Sequence, residues 1–208
     1  MSKTADKQLE SVLSPGKGAT PADWARIRAE FASKARKRGL VDISYEIHDS
    51  PFGPLLIGAT TQGLVRVGLS TETQEAVLND LAMRISPKIL SGSRPQIKLA
   101  RKQLDQYFSG KRKEFKLDLD WQLTHGFRRQ VLDVTDAIPY GETRSYREVA
   151  TQAGSPKAVR AAGSALAHNP LPIVVPCHRV LKTDGHVGNY LGGTPMKEQL
   201  LEMERGTA

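Results

Sequence analysis

Residues 145–180 read SYREVATQAGSPKAVRAAGSALAHNPLPIVVPCHRV, and this stretch decides the fold. Ser145 and Glu148 have the S-x-x-E spacing of a capping box, which predicts a helix that begins after Ser145 and ends before Gly154. Ser155-Pro156 then predicts a second helix, because serine caps helices well and proline suits their first position. Two short helices joined by a tight turn predict a helix-turn-helix.

The second predicted helix carries almost only small side chains, with Arg160 as one long cation near its middle. A helix that reads bases in the major groove usually carries several long polar side chains. A smooth helix with a single arginine instead favours close approach to the minor groove and insertion of that side chain. An alanine-rich helix buried in the core, with Arg160 on its exposed edge, explains the same pattern, and the sequence leaves both interpretations open.

The apolar run 171–175 leads to Pro176-Cys177-His178-Arg179-Val180, so we expect a strand that ends near the thiol. Cys177 is the single cysteine of the chain. A neighbouring imidazole, directly or through a water molecule, can take the proton of a thiol. A lone cysteine is otherwise a small buried hydrophobe, and neighbours along a strand point to opposite faces. Cys177 is therefore a candidate nucleophile.

Upstream, residues 41–118 predict a small α/β domain with an antiparallel sheet and packed helices. Alternating apolar residues indicate a strand over 41–47, and the runs 55–59 and 64–69 complete an antiparallel meander. Residues 86–96 are predicted to form a loop. Helices are predicted from apolar residues at helical spacing, namely Val77, Leu81 and Ile85, then Ala100, Leu104, Tyr107 and Phe108. None of these residues suggests a catalytic role, so we interpret this domain as a structural support for the rest of the chain.

Residues 119–208 are predicted to form a mostly helical domain that contains the helix-turn-helix and ends in a glycine-rich loop and a helix. Residues 1–40 are predicted to be an extension: a polar, mobile segment 1–19, then a helix that starts at Thr20-Pro21 and ends in a basic run and a glycine. That basic end either contacts phosphate or is solvated. The apolar stripe of this helix consists of Trp24, Ile27, Phe31 and Ala35.

The net charge of the 208 residues is +8, which favours a polyanionic partner such as nucleic acid. No apolar run approaches the roughly 20 residues of a membrane span, and residues 1–10 lack the apolar stretch of a signal peptide. One cysteine forms no internal disulfide, and the five histidines lack the spacing of metal ligands, so we expect no metal and no cofactor. We expect a cytoplasmic protein associated with the nucleoid, or a nuclear one if the source is eukaryotic.

The motif PCHRV at 176–180 stands in an order of motifs that resembles the O6-alkylguanine-DNA alkyltransferases, a family of DNA-repair proteins. The resemblance covers Phe127 to Glu204 and residues 41–69. Its further motifs are Asp49–Leu55, Ser145-Tyr146, residues 155–161, Asn169-Pro170 and residues 188–193. It implies a ribonuclease H-like α/β domain with an antiparallel sheet and helices, followed by a mostly α, winged-helix-like helix-turn-helix domain.

The resemblance also implies chemical roles at matching positions. Cys177 would be the nucleophile and permanent alkyl acceptor, His178 would take its proton through a water molecule, and Glu204 would orient that histidine. Asn169 would link the helix-turn-helix to the segment that carries the thiol. Tyr146 would donate a hydrogen bond to the departing guanine and help to rotate its phosphate.

For DNA, the resemblance implies that Arg160 fills the space left by a flipped nucleotide. The implied DNA-binding residues are Ser145, Tyr146, Lys157, Ala158, Val159, Arg160, Ala161 and Gly163. The implied pocket residues are Leu166, Val180, Gly188, Asn189, Tyr190 and Leu191. The backbone carbonyls of Cys177 and Val180 would accept hydrogen bonds from the guanine amine.

The implied reaction is irreversible and occurs once per molecule. An alkyl group passes to Cys177 from O6-alkylguanine, and also from O4-alkylthymine, in double-stranded DNA that is bound through its minor groove. We expect a monomer, with cooperative binding along DNA left open. Two residues depart from the family pattern: Leu191 stands where some relatives carry a hydroxyl, and Val159 is bulkier than the expected alanine. The zinc site of some animal relatives needs more cysteines than this chain has.

Two other functions remain compatible with the sequence. One is a sensor that binds alkylated bases without repairing them, although such relatives replace the cysteine. The other is a Cys-His hydrolase with a fortuitous helix-turn-helix, which would turn over repeatedly.

Overall fold

The computed structural model describes residues 20–206. The chain separates into two units, Met1–Leu40 and Val41–Ala208. The polar segment predicted for residues 1–19 lies outside the described residues. No helix within the described range has the length and apolar composition that a membrane crossing requires.

The described part of the first unit is helix α1, Pro21–Lys37, which begins and ends as predicted. Thr20 Oγ1 accepts a hydrogen bond from the Asp23 amide at 3.2 Å, and the Asp23 carboxylate accepts from Thr20 in return. Gly39 has φ +67, a left-handed conformation that glycine adopts at low cost at the end of a helix. The predicted apolar stripe is only partly buried, since Phe31 is 64% exposed.

The second unit begins with the predicted antiparallel meander. Strand β1 (Ile43–His48) pairs with β2 (Leu55–Ala59), and β2 pairs with β3 (Leu64–Gly68). Every residue of β2 and β3 is buried, which explains why their sequences are almost continuously apolar.

A fourth strand corrects the prediction of a loop over residues 86–96. Strand β4 (Ile89–Ser91) pairs parallel to β1 and gives the sheet order β3-β2-β1-β4. The next helix also begins inside this segment, at Pro95. Three residues are too few for an alternating pattern to be recognised, so pairing with β1 rather than local sequence decides this strand.

Two helices pack on the sheet as predicted. Helix α2, Gln74–Arg84, buries Val77 and Leu81 in a small cluster with the sheet residues Ile43, Leu56 and Val65. Helix α3, Pro95–Phe108, buries Ile97, Leu104 and Tyr107 in the main core. That core continues without a break into the C-terminal half and includes Cys177.

The C-terminal half is mostly helical, with one short parallel strand pair. Its elements are α4 (Gly126–Asp136), β5 (Arg144–Ser145), α5 (Tyr146–Gln152), α6 (Val159–Ala167), β6 (Val180–Leu181) and α7 (Thr194–Gly206), and β5 pairs with β6. Helices α5 and α6 contact each other and α4. They are the two helices of the predicted helix-turn-helix.

The capping box of α5 is confirmed, whereas the predicted start of α6 is wrong. The Ser145 hydroxyl accepts from the Glu148 amide at 3.2 Å, and the Glu148 carboxylate accepts from the Ser145 amide at 2.6 Å. Helix α6 begins only at Val159, because residues 155–158 form a turn in which the Ala158 amide donates to the Ser155 carbonyl. Proline fits the second position of such a turn as well as the start of a helix.

The strand predicted over residues 171–175 is also wrong, because this run folds into a tight buried turn. The amide of Val175 donates to the Leu171 carbonyl at 2.8 Å. Ile173 has φ +73, which for a β-branched residue costs about 1–3 kcal/mol. A short apolar run shows burial but does not distinguish a strand from another buried conformation. After this turn and Pro176, the chain enters the 3₁₀ turn Cys177–Arg179.

Candidate active site

The candidate nucleophile, Cys177, is the first residue of the 3₁₀ turn and is 3% exposed. Burial raises the pKa of the Cys177 thiol to about 11, while the hydrogen bond from Asn169 and the charge of Lys197 oppose the shift. The sulfur is therefore a neutral thiol near neutral pH. It needs a nearby proton acceptor before it can act as a nucleophile.

Asn169 holds the segment before the thiol at three points. Its Nδ2 donates to the Val175 carbonyl at 2.9 Å and to Sγ of Cys177 at 3.1 Å, and its Oδ1 accepts from the Leu171 amide at 2.9 Å. The residue is 1% exposed, so little water competes for these bonds. Asn169 thus lies between the end of α6 and the thiol.

His178 and Glu204 form a buried pair, in which Nε2 of His178 lies 2.9 Å from Oε1 of Glu204. Burial lowers the pKa of His178, although Glu204 opposes the shift, so the ring is neutral. A carboxylate only accepts hydrogen bonds, so the ring donates through Nε2–H. Nδ1 has no hydrogen-bond partner among residues 20–206 and keeps a lone pair that can accept a proton.

Glu204 reaches this pair from the last turns of α7 and is fixed by other donors. Arg179 donates through Nε at 2.9 Å and through a terminal nitrogen at 2.8 Å, and the Gly141 amide donates at 3.2 Å. Burial alone would raise the pKa of Glu204, but the hydrogen bonds from His178 and Arg179 lower it to about 2. The carboxylate is therefore charged at neutral pH and holds the imidazole in one orientation.

Tyr107 adds a contact that the sequence analysis does not foresee. Its hydroxyl donates to Oε1 of Glu204 at 2.6 Å and lies 3.4 Å from Nε2 of His178. Residues 41–118 therefore contribute a side chain that contacts the candidate site, which their interpretation as a support does not include. The helical spacing of Tyr107 predicts its burial, but nothing local to α3 indicates which polar group its hydroxyl meets.

Lys197 is a second residue that sequence reasoning misses. It is fully buried on α7, and its Nζ donates to the Val180 carbonyl at 2.6 Å and lies 5.8 Å from the centre of the Tyr146 ring. No carboxylate within the described residues lies at salt-bridge distance from Nζ. Burial lowers the pKa of Lys197 to about 8, and Cys177 opposes the shift. A lysine without a carboxylate partner is rarely buried. Its charge opposes the rise that burial causes in the pKa of the Cys177 thiol.

Tyr146 is the first residue of α5 and is half-buried beside the thiol. Burial raises the pKa of the Tyr146 hydroxyl, and the proximity of Cys177 adds to the shift, so the group remains a hydrogen-bond donor. A Cβ atom on Gly188 would lie 2.6 Å from the Tyr146 hydroxyl oxygen. Any side chain at position 188 would clash with the Tyr146 hydroxyl, so the glycine leaves room for it.

The glycine-rich loop supplies the other predicted pocket residues. The hydroxyl of Tyr190 is buried without a hydrogen-bond partner in the described part of the chain, and its ring meets His178 edge to face at 6.4 Å. The Leu191 carbonyl accepts from Thr71 Oγ1 at 2.9 Å. Among the other predicted pocket residues, Leu166, Val180 and Gly188 are buried and Asn189 is exposed. The Tyr190 hydroxyl and His178 Nδ1 are thus two buried polar groups available to a water molecule or a substrate.

The two predicted guanine acceptors already have protein donors. The Cys177 carbonyl accepts from the Val180 amide, and the Val180 carbonyl accepts from Lys197. A carbonyl has two lone pairs, so each can still accept one further hydrogen bond.

Helix α6 has one buried face and one accessible face, and the insertion of Arg160 into a minor groove stays a prediction. One face is buried through Ala162, Ala165 and Leu166, and the opposite face exposes Arg160 and Ala161. The other predicted DNA-binding residues are also accessible, since Lys157 is exposed and Ser145, Tyr146, Ala158, Val159 and Gly163 are partly exposed. A small, accessible helix surface with one long cation thus lies on the helix that leads to Asn169.

Two protein-family models match the chain. The model described as 6-O-methylguanine DNA methyltransferase, ribonuclease-like domain, matches residues 43–121, and the one described as 6-O-methylguanine DNA methyltransferase, DNA binding domain, matches residues 126–206.

Individual proteins show the same similarity. A methylated-DNA–protein-cysteine methyltransferase of Mycobacterium tuberculosis is 40% identical over 80% of this chain and 94% of its own length. The constitutive methylated-DNA–protein-cysteine methyltransferase of Bacillus subtilis is 39% identical over 77% of this chain and 94% of its length. The solved structure of Mycobacterium tuberculosis OGT in complex with DNA is similar with a TM-score of 0.66 and 38% identity, over 79% of this chain and 94% of that one.

Proposed function

Since the chain belongs to the 6-O-methylguanine DNA methyltransferase family, it acts on DNA as a repair methyltransferase for O6-methylguanine, and we propose that Cys177 accepts the alkyl group once and permanently. Its partner is DNA. The acceptor, the route by which the base reaches it and the groups that assist are the parts that we propose.

The observation that carries the proposal is the set of contacts around the thiol. Cys177 is buried beside Asn169, and the neighbouring His178 has its Nε2 fixed by Glu204 and its Nδ1 without a partner. Such an arrangement provides a neutral base for the thiol proton and a charge that stabilises the resulting imidazolium. We infer that the proton passes from Sγ to Nδ1 through a water molecule.

In the proposed reaction, the sulfur attacks the alkyl carbon and forms an S–C bond while the bond from that carbon to O6 of guanine breaks. The electron pair of the broken bond stays with the guanine, and the proton lost by the thiol is finally returned to it. Tyr146 donates to the ring during this step, because its hydroxyl stays protonated. The product is a thioether, which water does not hydrolyse, so the protein acts once.

The target atom lies inside the duplex, so the base must leave the stack before the thiol can reach it, at a cost of a few kcal/mol. We propose that α6 binds the minor groove and that Arg160 fills the space left by the flipped nucleotide, since this side chain is exposed on a surface of small residues. Tyr190 and Leu191 then wall the pocket. We also propose, from the family resemblance alone, that O4-alkylthymine is a second substrate and that the protein acts as a monomer.

The test is intact-protein mass spectrometry after mixing the protein with an oligonucleotide that contains O6-methylguanine. One added methyl group, mapped to Cys177 and limited to one per molecule, supports the proposal. Cys177→Ala should abolish transfer and keep DNA binding. An unchanged mass with tight binding would identify a sensor of alkylated bases, and repeated turnover would identify a hydrolase.

A further inference from the structure

The hydroxyl of Tyr107 has one proton and two neighbours in the candidate site. It lies 2.6 Å from Oε1 of Glu204 and 3.4 Å from Nε2 of His178. A carboxylate can only accept, so the tyrosine proton lies on the contact with Glu204. In the longer contact the tyrosine oxygen therefore accepts and Nε2–H donates. The proton on Nε2 thus faces two acceptors. One is the Tyr107 oxygen in the α/β half of the second unit, and the other is the Glu204 carboxylate in its helical half.

We propose that Tyr107 is a positioning residue for alkyl transfer, which keeps the proton of His178 on Nε2 and leaves Nδ1 as the acceptor for the thiol proton. This inference rests on the proposed function, because it concerns the same proton transfer. It assigns to the α/β half of the chain a direct part in the chemistry.

The packing of Tyr107 does not require its hydroxyl. The ring contacts Phe108, Phe115 and Tyr140, with centroid distances of 5.6, 5.2 and 6.1 Å. A phenylalanine would fill the same volume and keep these ring contacts. Glu204 would also keep its donors from Arg179 and Gly141. The hydroxyl therefore acts mainly on the distribution of charge and protons in the pair formed by His178 and Glu204.

The sign of its effect on pH dependence follows from the hydrogen bond. Donation to Glu204 at 2.6 Å withdraws part of the negative charge that would otherwise stabilise a protonated His178. This effect outweighs the 3.4 Å contact in which the tyrosine oxygen accepts from Nε2–H, because that contact is longer than an ordinary hydrogen bond. Without the hydroxyl, His178 would protonate at higher pH and lose its capacity to take the thiol proton. The ionisable groups around His178 are Tyr107 on α3, Cys177 and Arg179 in its own turn, Tyr190 in the loop, and Lys197 and Glu204 on α7.

Cys177 has a pKa of about 11 and stays protonated across this range, so His178 is the group in this set whose titration can place a midpoint on the acid side of neutrality. The pKa of Glu204 is about 2 and that of Lys197 is about 8. Burial raises the pKa of Tyr107 well above its ordinary value, so it remains a donor throughout. The acid limb of the transfer rate therefore reports the protonation of His178.

The test is the single-turnover rate of methyl transfer to the full chain, measured from about pH 5 to 8 for wild type and Tyr107→Phe. Two variants serve as controls. Tyr45→Phe removes a hydroxyl that accepts from Gln74 on the surface of the same half. Phe115→Leu loosens the packing around the Tyr107 ring without changing a polar group. Thermal unfolding of each variant shows whether it is folded.

We expect Tyr107→Phe to be folded, to transfer about ten-fold more slowly near neutral pH, and to show an acid limb shifted to higher pH. Tyr45→Phe should match wild type, and Phe115→Leu should be less stable with its acid limb unmoved. A Tyr107→Phe rate that equals wild type, or that falls with the same acid limb, would overturn the positioning role. If wild type itself transfers no methyl group to Cys177, the proposed function fails instead.

Discussion

The side-chain amide of Asn169 lies 3.1 Å from Sγ of Cys177 and 2.9 Å from the carbonyl oxygen of Val175, so one buried group holds both the thiol and the turn before it. The same side chain accepts from the Leu171 amide. Because Ile173 in this turn has a left-handed backbone, the turn needs such external hydrogen bonds to persist.

Asn169→Ala should therefore destabilise the protein as well as slow transfer. The substitution leaves the Val175 carbonyl and the Leu171 amide buried without their partner, which predicts a loss of about 3 kcal/mol in the free energy of unfolding. Chemical denaturation measures this value. Asn79→Ala, at an exposed position of α2, is the matched control and should change it by less than about 0.5 kcal/mol. Equal effects of the two substitutions would contradict the role of Asn169 as a clamp.

Glu204 makes the free energy of unfolding depend on pH in the acid range. Its pKa is lowered from 4.5 to about 2, so the unfolded chain binds this proton more readily than the folded one. The resulting stability, at most about 3 kcal/mol, is present above pH 4.5 and is lost as the pH falls through the folded value.

Glu204→Gln should remove this dependence. We expect the variant to be less stable at neutral pH, because Arg179 is left buried without its carboxylate, and to converge on wild type at low pH. Unfolding free energies measured between pH 7 and about pH 2 test this, with Glu202→Gln on the exposed side of the same helix as the control. Parallel curves for wild type and Glu204→Gln would contradict the assignment.

Local signals in the sequence predict the elements whose partners are close along the chain. Ser145 caps a helix through Glu148, three residues away, and the spacing alone shows it. The start of α6 is mispredicted because Ser155-Pro156 suits a turn as well as a helix. Strand β4 is missed because it is three residues long and depends on pairing with β1.

The residues of the candidate site also separate into those that a local motif predicts and those that only the folded chain brings together. Cys177 and His178 are adjacent, and one motif is enough to make them candidate nucleophile and base. Tyr107 and Lys197 occupy ordinary positions of α3 and α7, and their partners Glu204 and Val180 lie 97 and 17 residues away. Only the packed fold shows that the Tyr107 hydroxyl contacts Glu204 and that the Lys197 ammonium group contacts the Val180 carbonyl, both close to the candidate site.

Lys197→Met should slow the reaction of the thiol by removing a nearby positive charge. The charge of Lys197 lowers the pKa of Cys177 against the effect of burial, so its loss should leave about ten-fold less thiolate at neutral pH. The pKa of Lys197 itself is about 8, so wild type loses this charge as the pH rises. The difference between the two proteins should therefore shrink from pH 7 to about pH 9.

The measurement for Lys197→Met is the alkylation rate of Cys177 by a small electrophile, which needs no DNA. Lys182→Met, at an exposed position, removes the same charge from the surface and should match wild type. A rate difference that stays constant across the pH range would show that Lys197 acts through packing rather than through its charge.

Arg160→Ala should separate base extrusion from the chemistry at the thiol. Arg160 is exposed on α6 and has no place in the contacts of Cys177, so a substrate that is already outside a duplex does not need it. We expect transfer from O6-methylguanine in duplex DNA to fall about ten-fold or more, and reaction with a free O6-alkylguanine base to stay within about two-fold of wild type. Single-turnover rates on both substrates measure the difference.

Lys102→Ala removes one exposed cation from α3 and controls for the change in net charge, with little expected effect on either substrate. Equal losses on both substrates in Arg160→Ala would show that this side chain supports the active site itself and does not fill the space of a flipped nucleotide.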